Sequence, residues 1–147
     1  MKLELAIVLA CNETVCRVKS LENDAFIEAH YSGLVKDRIR IRAAQLVAID
    51  VSKNPPEIVW RWLRAAVIEL NGDMVVVDDM QGHPAKVSRV PGLPLNITPD
   101  DKVWVCSTGH AYEVHDLIVD GKPAHPDRLL EYIAPIINEI YQNATQQ

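Results

Sequence analysis

The side chains with the most reactive chemistry in this chain are three cysteines and five histidines. Cys11 and Cys16, together with Cys106, His110 and His115, could supply thiolate and imidazole ligands to zinc. Structural zinc knuckles favour two residues between their cysteines, whereas Cys11 and Cys16 are separated by four, so no metal site is expected. In "CSTGH" a Cys106 nucleophile with His110 or His115 as its base would make a small Cys/His hydrolase. The spacing sets no third group to orient that base. No Gly-rich phosphate loop is present, and the acidic cluster of Asp73, Asp78 and Asp79 lacks the glycine and glutamate of a calcium loop. The chain therefore reads as non-enzymatic, with no cofactor. The cysteine count is odd and no secretory leader is recognised, because Glu4 interrupts the short apolar run of "MKLELAIVLA". Reduced thiols and a cytoplasmic location are expected, and Asn-x-Thr matches at Asn12, Asn96 and Asn143 then read as chance.

Binding residues form a second group. Tryptophan and arginine anchor interfaces more often than other types, which makes Trp60, Arg61 and Arg64 candidate contacts. Lys36, Arg38, Arg40 and Arg42 alternate with Asp37, Ile39 and Ile41, so a strand would set four cations on one face, roughly 6–7 Å apart. That spacing is near the phosphate repeat of a nucleic-acid strand. The overall charge of −5 opposes coating of nucleic acid by bulk positive charge. Charge is also unevenly spread: residues 34–66 carry seven cations and three acids (+4), and residues 96–147 carry three cations and eight acids (−5). Such a gradient favours self-association or an acidic partner.

The elements holding these residues read as hairpins. Asn71-Gly72 between apolar runs signals a tight turn, as does Asp120-Gly121, and Glu22-Asn23-Asp24 links two strand-like runs. An apolar segment precedes each hairpin, which gives a degenerate repeat beginning near Leu3, Ala44 and Asp101. Pro84, Pro91, Pro94 and Pro99 mark an irregular connection. Leu129, Ile133, Ile136, Ile137 and Ile140 form a helical stripe after Pro126, with Pro135 expected to kink or split the helix. No run approaches the roughly 18–20 apolar residues of a membrane helix.

"NPPEIVWRWLRAAVIEL" fits either a capped helix or a strand, and the strand agrees with the Asn-Gly turn that follows it. Read as a strand, Trp62, Arg64, Ala65 and Val67, followed by Val75, Val77, Asp78 or Asp79, and Gly82, resemble the Tudor branch of the Src-homology-3-like small barrels over residues 44–92. The ligand-reading members of that family place an aromatic beside the acidic residue and an asparagine after the glycine. This chain has Met80 and His83 there, which speaks against a methyl-ammonium cage. The resemblance makes Trp62 structural and leaves Trp60 for recognition.

The expected fold is mainly β: small barrels built from repeated hairpins, Src-homology-3-like or Tudor-like, with one C-terminal amphipathic helix. Residues 1–92 would form one or two intertwined barrels, 93–100 a Pro-rich connection, 101–124 the final strands, 125–141 the helix and 142–147 a frayed tail. The expected function is a scaffold or adaptor that binds a protein partner or self-associates as a homo-oligomer, through Trp60, Arg61, Arg64 and the apolar face of residues 129–141, a face that either closes the barrel or docks in the partner. One alternative is a nucleic-acid-associated module using Arg38, Arg40 and Arg42, and another is the hydrolase.

Overall fold

The computed structural model describes residues 1–32, 41–72, 74–78, 84–89, 96–108 and 111–145. The chain is mainly β. Its strands are β1 (Leu3–Cys11), β2 (Val15–Ser20), β3 (Phe26–Tyr31), β4 (Leu46–Asp50), β5 (Glu57–Asn71), β6 (Met74–Asp78), β7 (Pro84–Arg89), β8 (Lys102–Thr108), β9 (Ala111–Val119) and β10 (Lys122–Pro123), followed by the helix α1 (Pro126–Thr145). Two compact units divide the chain: Met1–Arg61 with Pro126–Gln147, and Trp62–His125.

The segment that fits two structures is a strand. Pro55 and Pro56 precede it, and β5 then runs for fifteen residues. Its β-branched and aromatic residues suit a pleated surface buried on both faces.

In the first unit β1 pairs antiparallel with β2, and β2 with β3. The chain then returns to lay β4 antiparallel along the other side of β1. The spatial order β4-β1-β2-β3 is a Greek key. β5 closes the circuit by running parallel to β3, with His30 opposite Glu57, and by pairing with β4. The second unit repeats this path. β5 pairs with β6, β6 with β7, β8 returns beside β5, and β9 pairs with β8 and runs parallel to β7. Each unit is thus a ring of five strands.

The correspondence extends to single residues. Residues of β1 and β2 match those 59 positions later, those of β3 match 58 later, and those of β4 and the start of β5 match 56 later. Applied to the first core, Ala6, Val8, Cys16, Val18, Ala29, Ile41, Val47, Ile49 and Ile58, these offsets reproduce the second: Ala65, Val67, Val75, Val77, Val87, Ile97, Val103, Val105 and Val114. Five of the nine pairs are identical residues, as in Ala6/Ala65 and Ile41/Ile97. The ladder is broken at equivalent places as well. A bulge between Val8 and Ala10 matches one between Val67 and Glu69. It turns Leu9 and Ile68 out to 42% and 49% exposure.

The turn into the fourth strand is also shared. Ala44 (φ 69°) and Asp100 (φ 75°) both adopt the left-handed conformation. The Val8 amide donates to the Gln45 carbonyl (2.9 Å), and the Val67 amide to the Asp101 carbonyl (2.8 Å). The Gln45 side chain accepts from the Arg42 amide (3.1 Å), as the Asp101 carboxylate accepts from the Thr98 amide (2.9 Å). Repetition of these polar details makes the two units copies of one local plan. Its period of 56–59 residues agrees with the 57-residue step from Ala44 to Asp101 in the hairpin motif and is longer than the 41-residue step from Leu3 to Ala44.

The helix is continuous from Pro126 to Thr145, and Pro135 sits inside it on the exposed side. Leu129, Ile133 and Ile137, at four-residue spacing, are its fully buried positions, and it packs on β1. Leu5, Leu46 and Ala48 are buried too, although they lie on the face of β1 and β4 opposite the first core. Both faces of β4 are covered, and every one of its residues is buried. Among the described residues no helix is long and apolar enough to cross a membrane.

The cysteine reading requires correction: Cys11 and Cys16 form a disulfide across the β1–β2 hairpin. The Asn12 amide donates to the Val15 carbonyl (2.9 Å), so the next pair outward in the ladder, Cys11 with Cys16, is a non-hydrogen-bonded pair. Such pairs bring side chains closest, and here the Cα atoms are 4.1 Å apart.

Candidate binding surface

The residues singled out in the sequence fall at several places. Trp60 and Arg61, in the first unit, and Arg64, in the second, are all half-buried positions of β5. The Trp60 Nε1 and Arg64 Nε atoms are enclosed and have no hydrogen-bond partner. Arg42 is exposed at the turn preceding β4, where its amide is used by Gln45. Arg38 and Arg40 lie outside the described residues, as do Lys36 and His110. Cys106 is buried within β8 instead of presented at a strand end. Among the described residues no cluster of His, Cys, Asp and Glu is arranged to hold a metal ion.

Trp62 is fully buried and its role is legible in its hydrogen bond. The indole Nε1 donates to His115 Nδ1 at 2.9 Å. An indole nitrogen can only donate, so Nδ1 must accept, and the proton of the neutral imidazole sits on Nε2. That nitrogen faces Glu113 Oε1 at 3.5 Å. Burial pushes the His115 pKa down, opposed by the hydrogen bond and charge of Glu113. Beside it, the buried Asp116 accepts from the Leu117 amide (2.8 Å) and the His125 amide (2.6 Å), and its Oδ1 lies 2.9 Å from His125 Nδ1. These polar groups brace β9 and the turn after it.

A different kind of surface lies on the outer face of β1–β3 in the first unit. Alternation in β2 sends Cys16, Val18 and Ser20 inward and leaves Arg17 and Lys19 exposed. On β3 the outward residues are Phe26, Glu28 and His30. Register places Ala10 beside Arg17, Arg17 beside Glu28, and Lys19 beside Phe26. Phe26, the single phenylalanine of the chain, is 61% exposed. The Arg17 guanidinium lies 5.2 Å from its ring centroid, a distance at which the cation is attracted to the ring face. Leu9 joins this face through the bulge. Lys19 reaches Asp24 at 3.9 Å.

Sequence reasoning missed this face. Phe26 falls on the exposed phase of a strand, and only the register of β2 against β3 brings Arg17 to it. The second unit carries Val76 where Arg17 stands and Pro84 where Phe26 stands, so the duplicated frame presents this pair once.

A third cluster surrounds Tyr141 in the first unit. Burial, with the charges of Asp50 and Glu57, pushes its phenol up to about 12, and Lys53 Nζ lies 5.7 Å from the ring centroid. Asp50 is fully buried. Burial would raise its pKa, but the Ser52 hydroxyl and the Lys2 and Ser52 amides all donate to it and lower it overall. These contacts tie the end of the helix to the loop between β4 and β5.

No protein-family model matches the chain, and no curated protein matches it in sequence.

Proposed function

We propose that the protein is a non-enzymatic binding or adaptor protein that recognises another protein through the outer β1–β3 face of its first unit. The observation that carries this reading is the exposed Phe26 with the Arg17 guanidinium over its ring. Aromatic residues and arginine are the types enriched at protein interfaces, and here the two are held together on an exposed face. The matching partner surface offers an apolar recess for Phe26 and a carboxylate or carbonyl for Arg17. The cations on this face have acidic neighbours, Glu28 opposite Arg17 in the ladder and Asp24 at 3.9 Å from Lys19, which favours a mixed protein surface over a polyanion. Trp60 and Arg61, which belong to the same unit, act as supporting contacts in this reading, and the cytoplasm is its setting.

Each five-strand ring is read as a small barrel. The Greek-key path favours a second function, because the five-stranded Greek-key barrel is also the plan of modules that bind oligonucleotides on strands 2 and 3. Here that would place a base on Phe26.

The test is a photo-reactive phenylalanine analogue at position 26, irradiated in native extract, with the same analogue at the exposed Val119 as control. The expected result is one discrete crosslinked protein at position 26, lost on Arg17→Ala. Identical diffuse labelling at both positions contradicts the reading, and a crosslink to nucleic acid transfers the function to the second one.

A further inference from the structure

We infer that Cys11 and Cys16 form a reversible thiol–disulfide exchange site whose substrates are a dithiol reductant and a disulfide oxidant. Three observations carry this, none of which depends on the binding function.

The bond spans facing residues of one hairpin, so it closes a loop that the β1–β2 ladder already closes. The second unit shows the same place without a bond: Leu70 and Val75, the counterparts of Cys11 and Cys16, face each other as an apolar pair. The frame therefore holds this cross-strand pair with or without a covalent link. A reduced cysteine pair, which packs as small apolar side chains, fits the same space.

The surroundings are suited to both states. Tyr31 donates its hydroxyl hydrogen to the Asn12 carbonyl (3.0 Å), and its oxygen lies 3.1 Å from Cys16 Sγ. With its hydrogen committed to Asn12, the phenol oxygen keeps a lone pair for the Cys16 thiol when the bond is open.

Access sets the order of steps. Cys11 is half-buried and Cys16 fully buried. A thiolate of the external dithiol attacks Cys11 Sγ, the Cys11–Cys16 bond breaks, and Cys16 leaves as a thiolate that takes a proton from water. The second thiol of the reductant then displaces Cys11 from the mixed disulfide. The products are two protein thiols and a cyclic disulfide; an oxidant disulfide reverses the sequence. Disulfides of this kind are compatible with a reducing compartment, where they form transiently.

The experiment equilibrates the folded full-length protein in graded mixtures of reduced and oxidised dithiothreitol, then counts alkylated thiols by intact mass. The expected result is a reversible gain of two alkylated thiols in one step, an unchanged circular dichroism spectrum, and Cys106 unlabelled because it is buried. The double variant Cys11→Leu/Cys16→Val, which copies the second unit, should stay folded and show no redox step. Tyr31→Phe should move the midpoint about twofold to fivefold toward the disulfide, since the thiol loses its acceptor. A pair that resists reduction until the chain is denatured, a reduction that abolishes the fold, or thiols that never pair under oxidising conditions would each overturn the proposal. An unmoved midpoint in Tyr31→Phe overturns the part assigned to Tyr31.

Discussion

At the scale of the residue, the two tryptophans are separated by burial and by what their ring nitrogens meet. Trp62 is enclosed and donates to His115, whereas Trp60 is half-buried and its Nε1 meets no partner. Trp62→Ala should destabilise the protein by about 3–5 kcal/mol in urea unfolding, because it opens a large cavity and strips His115 Nδ1 of its donor. His115 also gives stability a pH dependence. Its folded pKa lies below the ordinary value, so below about pH 6.5 the unfolded chain binds a proton that the folded chain does not. Its contribution is fully present above that value and is lost as the pH falls through this window. His115→Gln keeps an acceptor for Trp62 and cannot titrate. Melting curves between pH 7 and 5 should therefore fall more steeply for the natural protein than for the variant, and parallel falls would show that His115 is not responsible.

At the scale of the element, the equivalent turns before β4 and β8 allow a paired comparison. Ala44 holds φ 69° and Asp100 φ 75°. An alanine there is strained, whereas aspartate tolerates the left-handed region better, and glycine removes the strain in both. Ala44→Gly should stabilise by about 1 kcal/mol in equilibrium unfolding and Asp100→Gly by less. Equal effects would mean that local backbone strain does not govern these turns. Much of this level was legible in the sequence. Gly72 (φ 61°), Asp120 (φ 52°) and Gly121 (φ 78°) carry the turns that their residue types announce, and Val75 and Val77 alternate into the core as a strand requires. The disulfide was not legible, because the five-residue separation of Cys11 and Cys16 becomes a facing pair only once the Asn12–Val15 turn fixes the register. Nor was the continuity of α1 through Pro135, which is accommodated on the helix's exposed side.

At the scale of the whole molecule, one plan is used twice. Ala6, Val8, Val18, Ile41 and Val47 recur as Ala65, Val67, Val77, Ile97 and Val103, so the repeat is written in the sequence. It is hard to see there because the offset drifts from 59 to 56 as the connections change length, and because outward residues such as Arg17 and Val76 have diverged. The copies differ in their outward residues while packing keeps their cores alike. Val18→Ala and Val77→Ala should accordingly destabilise by similar amounts, roughly 2 kcal/mol each in urea unfolding. The most direct test of this duplicated plan is residue-resolved amide hydrogen exchange on the intact chain. The Val8 and Val67 amides, bonded to the Gln45 and Asp101 carbonyls, should both be strongly protected. The same measurement should show fast exchange at the bulge residues Leu9 and Ile68. Protection at Val8 with free exchange at Val67, or the reverse, would contradict the account.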